Sequence, residues 1–115
     1  AVSVMLAPGS LLAQTRPSST TAATAFTATK HTEVTRISVC NSSTATTFGL
    51  YHHDTGTTYT QATALFYGAP IAANTTVFID VEGNGGGIAV SPAGTIGVKT
   101  GAANNITFSI YGVTQ

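Results

Sequence analysis

Apolar and polar residues alternate with a period of two along most of this chain, and no window carries the three-to-four-residue spacing of an amphipathic helix. In VTRISVC the alternation puts Thr35, Ile37 and Val39 on one face and Val34, Arg36, Ser38 and Cys40 on the other. TFGLYHH places Phe48, Leu50 and His52 together, and TTVFIDV turns Val77, Ile79 and Val81 inward. The ending NITFSIYGV sets Ile106, Phe108 and Ile110 against Thr107, Ser109 and Tyr111. Threonine, valine and isoleucine fill these runs, and branched side chains suit a pleated, half-buried surface.

Clusters of turn-forming residues separate the runs: Asn41-Ser42-Ser43, Asp54-Thr55-Gly56, Gly68-Ala69-Pro70, Gly83 to Gly86, Ser91-Pro92-Ala93-Gly94 and Gly101 to Asn104. They predict about eight strands, at 22–29, 33–41, 46–53, 62–68, 75–81, 86–91, 95–99 and 105–113. Short strands without helices form an all-β domain, a two-sheet antiparallel sandwich or a barrel, because each apolar face must meet another sheet. Ahead of residue 22 the composition changes. PSSTTAAT has little to bury, so residues 1–21 read as an extended N-terminal arm and 22–115 as the domain. Val4, Leu6, Leu11 and Leu12 are the apolar side chains with which such an arm would dock on a partner.

At 115 residues the chain is one domain, able to bury roughly two-thirds of its unfolded surface in a single core. Charged residues are 7% of the chain, against about 25% in an average soluble protein, and the formal net charge is zero. Charge repulsion normally keeps monomers apart, so this composition points to a surface meant to be covered, in an oligomer or larger assembly. Arg16, Lys30, Arg36 and Lys99 are scattered and make no phosphate-tracking stripe, which argues against nucleic acid as a partner. No stretch reaches the roughly 20 apolar residues of a membrane span. The opening AVSVMLAPGSLLAQ has no basic residue ahead of its short apolar part, so it is not read as a signal peptide. Cys40 is the single cysteine, so the chain has no internal disulfide; it is expected to be a buried, inert thiol.

The one stretch that hints at chemistry is LYHHDTGTTYT, with His52, His53 and Asp54 in succession. Neighbouring strand residues point to opposite faces, so His52 and His53 do not chelate one ion together. His52 and Asp54 share a side. A closed zinc site wants four ligands, and the rest would have to come from distant His31, Glu33, Asp80 or Glu82. No base stands beside a nucleophile near Cys40 either. The expectation is no metal, no cofactor and no enzyme, with Asp54 and Gly56 serving a turn. Gly83 to Gly87 lacks the lysine and following helix of a phosphate loop, and reads as a strand connection.

VTRISVCNSST, then LYHHDTGTTYTQATALFYGAPIAANTT, then GTIGVKTGAANNITFSIYGV resemble, in order and spacing, a family of small virion proteins of tailed bacteriophages. The likeness runs from about Glu33 to Val113 and rests on an I-x-V-x-N-like strand end, a D-x-G-T-T-Y-like hairpin, a PIAANTT-like strand entry and a last strand ending on Gly-Val. The resemblance implies a jelly-roll sandwich that forms a homotrimer on the outside of a phage head, assembled in the host cytoplasm. Such a protein binds the major capsid protein or another virion component and cements the shell. On that reading face alternation nominates Leu65, Tyr67, Phe78 and Tyr111 for the trimer interface. The alternative is a receptor- or glycan-binding module, or the base of a tail, neck or head fibre, with Tyr51, Tyr59 and Asp54 near the hairpin tip holding a sugar.

Overall fold

The computed structural model describes residues 10–81 and 87–114. Along the chain run β1 (Ser10–Thr15), β2 (Ala23–Thr27), β3 (Thr32–Asn41), β4 (Thr46–His53), β5 (Ala64–Ile71), β6 (Thr75–Asp80), β7 (Ile88–Val90), β8 (Thr95–Thr100) and β9 (Ile106–Thr114). They form two antiparallel sheets of a β-sandwich. The first has the order β1-β9-β3-β6, with β7 also pairing β3, and the second β2-β8-β4-β5. The chain changes sheet at every connection except β4 to β5 and β6 to β7.

The inward set closes one core. Ile37, Val39, Ile106, Phe108 and Ile110 of the first sheet meet Phe48, Leu50, Ile96 and Val98 of the second, all buried. Val77 and Ile79 pack against this cluster as expected from their alternation. Each such side chain contributes roughly 1.5–3 kcal/mol on leaving water. At one end of the core the amide of buried Asn41 donates to the carbonyls of Thr44 and Ala72, while its oxygen accepts from Ser43 N–H. That single side chain satisfies the β3–β4 turn and ties it to the β5–β6 turn.

Four expectations are corrected. Val34 lies in the core beside Ile37, because the β3–β9 register shifts between Val34 and Arg36 and the extra residue flips the face. Gly68-Ala69-Pro70 is no turn: β5 runs through it to Ile71, with Gly68 at φ +62°. Pro70 is tolerated there because β5 is the edge of its sheet. Cys40 is half-buried rather than buried, on the outward-facing side of β3 that it shares with Arg36 and Ser38.

The fourth lies in the expected arm. Residues 10–15 form β1, an edge strand on β9, with Leu12 and Ala13 packed against the core. The next residues are anchored too, since Arg16 donates to the Asn104 carbonyl and Asn104 N–H donates to the Pro17 carbonyl. Among the described residues nine strands stand where about eight were expected. Val4 and Leu6 lie outside the described residues, as do Gly83 to Gly86 of the glycine run.

Candidate functional surfaces

The outer face of the first sheet carries an aromatic and charged patch. Strand pairing brings Phe78 opposite Ser38, Asp80 opposite Arg36, and Arg36 opposite Tyr111. Arg36 bridges them: its guanidinium carbon sits 5.5 Å from the Phe78 ring centre and its Nη2 3.3 Å from Asp80 Oδ2. The ion pair is half exposed, so it orients the arginine over the ring more than it stabilises the fold. Phe78 remains 61% exposed, and Leu11, opposite Tyr111, is 50% exposed. Two of the four residues nominated for a subunit contact, Phe78 and Tyr111, therefore share this face with Leu11.

The other two stand on β5, the free edge of the second sheet. Leu65 and Phe66 are both partly exposed, and the Phe66 ring meets Phe48 at 5.7 Å between centres, so it seals the core from the side. Tyr67, 59% exposed, turns elsewhere: it lines grooves with Tyr51 and Lys99 on the outer face of the second sheet. Sequence alternation does not separate these roles, because the β4–β5 register shifts twice in this stretch.

A tyrosine layer covers that second outer face. The loop after β4 folds back so that the Tyr59 ring lies over Gly97, where a Cβ would meet the ring at 2.6 Å. Its hydroxyl bonds Thr24 at 2.6 Å and Thr95 at 2.9 Å, linking the loop to β2 and β8. Tyr51 packs against it with ring centres 5.8 Å apart and is 2% exposed. Burial raises the Tyr51 phenol above its usual value, and Tyr67 beside it raises it further. The alternative reading expected Tyr51 and Tyr59 as aromatics presented at a hairpin tip; both are instead structural parts of this layer, with one edge open.

The histidines serve the same loop. His53 Nδ1 accepts from Thr58 N–H at 2.9 Å, and its ring covers Gly56. Asp54 Oδ1 accepts from Ser91 N–H at 2.9 Å and lies 3.3 Å from His52 Nε2. The Ser91 bond is the main cause holding the Asp54 carboxyl below its ordinary range, with His52 adding to it. Among the described residues no three His, Cys, Asp or Glu side chains converge. His31 and Glu33 line a separate groove of about 440 Å³ with Val90 and Val113, and Asp80 is held by Arg36.

No family model matches the chain, and no curated protein or solved structure matches it either. What the molecule offers is therefore two surfaces read from their own chemistry: an aromatic and charged face on one sheet and a tyrosine-lined groove on the other.

Proposed function

We propose that the chain is a structural virion protein of a tailed bacteriophage, a decoration protein that binds the head shell as a homotrimer and cements it. The observation that carries this reading is the outer sheet face on which Leu11 and Phe78 are exposed beside half-buried Tyr111, on a chain of zero formal charge. Large apolar side chains so displayed, around an Arg36–Asp80 pair whose opposite charges offset, suit a surface that assembly covers. A three-fold ring uses a heterologous contact, in which one patch meets a different patch on the next copy. The first-sheet face and the β5 edge with Leu65 and Phe66 are two such patches.

The strand order supports the jelly-roll form of the sandwich, because two facing antiparallel sheets, of five and four strands, between which the chain crosses at most connections are what paired Greek keys produce. The resemblance of the segments from about Glu33 to Val113 to phage virion proteins supplies the setting. Cementing is binding energy: apolar area buried against the shell, at about 25 cal/mol per Å², makes opening the shell costlier.

Quantitative mass spectrometry of purified particles, against the major capsid protein, tests the proposal. Hundreds of copies per particle are expected of a cement. A few copies would overturn decoration in favour of a neck, tail or fibre component, and absence from the particle would overturn the virion reading itself.

A further inference from the structure

Two open grooves meet on the outer face of the second sheet, and Tyr51, Tyr67 and Lys99 line both. The larger, of about 690 Å³, continues to Tyr59, Gln61 and Thr21, and the smaller, of about 150 Å³, continues over Gly49 and Gly101. Gly49 faces Lys99 across the β4–β8 pair, so the lysine has no side chain opposite it.

Three observations say what would fill this space. Tyr51 is 98% buried, and its hydroxyl makes no hydrogen bond with any described residue. No buried side-chain polar atom among those residues lacks a partner, so the hydroxyl is the part of Tyr51 that opens on the groove. A phenol held there by its buried ring can exchange a solvent contact for a ligand's acceptor. Among the described residues Lys99 forms no ion pair and no aspartate or glutamate lines either groove, so the charge they supply there is positive. Finally, Tyr67 presents its exposed ring at the junction of the two grooves.

An exposed ring, a fixed hydroxyl, surrounding threonine and glutamine groups and one ammonium match a ring with an apolar face, many hydroxyls and a single negative group. We propose that the groove binds an acidic saccharide, with a sugar ring against Tyr67, its carboxylate on the Lys99 ammonium and a ring hydroxyl on the Tyr51 hydroxyl. A nucleic-acid strand needs several cations along its phosphates, and here there is one. A hard cation needs carboxylates and a softer one needs histidine or cysteine, and no such side chain lines the grooves among the described residues. The inference stands independently of the capsid reading, since it concerns the opposite sheet from Phe78.

The test is a titration of the full-length chain, followed by amide chemical shifts in solution, with oligogalacturonate and with a neutral malto-oligosaccharide of equal length. Shifts at residues 49–51, 59, 67 and 97–101 with the acidic oligomer are expected. Lys99→Gln and Tyr67→Ala should each weaken binding about tenfold or more, the size of a lost charge-assisted bond or ring contact. Tyr51→Phe, which keeps the packing, should weaken it about threefold to tenfold. Phe78→Ala, on the other face, should leave it unchanged. Dispersed amide spectra establish that each variant is folded. Equal binding of the neutral oligomer, undiminished binding by Lys99→Gln, or no shifts at millimolar acidic oligomer would each overturn the proposal.

Discussion

Asp54 holds two turns together, since the carboxylate at the end of β4 receives the Ser91 N–H from the turn before β8. Its folded carboxyl is held below its ordinary range, so its stabilisation is present above the unfolded value of about 3.9 and is lost as pH falls through the folded value. Asp54→Asn should therefore lower Tm at pH 7, and the gap to the parent should close as pH drops below about 4. Melting curves from pH 7 to 3 check this, and a gap as wide at pH 3 as at pH 7 would mean that charge is not what matters. Gly97 poses a steric rather than an electrostatic demand. A Cβ there would lie 2.6 Å from Tyr59 carbon atoms, so Gly97→Ala must push the ring and its loop off the sheet. Such overpacking costs about 1–3 kcal/mol, measurable by denaturant unfolding. In a Tyr59→Ala background the same substitution should cost far less, because the obstructing ring is gone.

At the scale of elements, β1 decides how the N-terminal segment is understood. It covers the edge of β9 and seats Leu12 and Ala13 against the core, and Arg16 then clasps the Asn104 turn. Deleting residues 1–21 would uncover β9, leaving Ser109 without Gln14 and a bare strand edge open to intermolecular pairing. The truncated chain is expected to melt earlier, to lose hydrogen-exchange protection across 108–112 and to aggregate on concentration; unchanged protection there would restore the idea of a separable arm. SLLAQT did not announce itself as a strand because it is short and runs into proline and serines, so its local signal is that of a linker. The interior strands were legible because both patterns agreed: Ile106, Phe108 and Ile110 alternate and are all buried. Where a bulge intervenes, period-two reasoning fails by construction, as at Val34 and along Leu65 to Gly68. The tyrosine layer escaped for a different reason. Tyr51 sits on the polar side of its strand by alternation, and only a loop folding back over Gly97 buries it. Gly49 on β4 and Gly97 on β8 were the available hint, since bare positions on one sheet face invite something to lie across them.

For the whole molecule, the proposed association rests on what its surface lacks. With Lys and Arg totalling four, Asp and Glu four, and a pI of about 7.1, long-range repulsion between copies is weak near neutral pH. Short-range contact then governs, and the strongest candidate is the face on which Phe78, Tyr111 and Leu11 surround Arg36. An aspartate at position 78 would place a second carboxylate near Asp80 and remove the ring beneath the guanidinium, while touching nothing in the core. Phe78→Asp is thus expected to keep the parent's Tm at low concentration but to reduce the species seen by native mass spectrometry from three times the 11.6 kDa chain mass to one. The paired substitution Leu65→Asp acts on the other proposed patch. In a heterologous ring, mixing the two variants leaves one intact contact, from the unaltered face of one chain to the unaltered edge of the other, but two such variants cannot close the ring. Mixed samples should therefore stop at dimers. A Phe78→Asp chain that still forms trimers would place the contact elsewhere, and mixed trimers would rule out this pairing of the two patches.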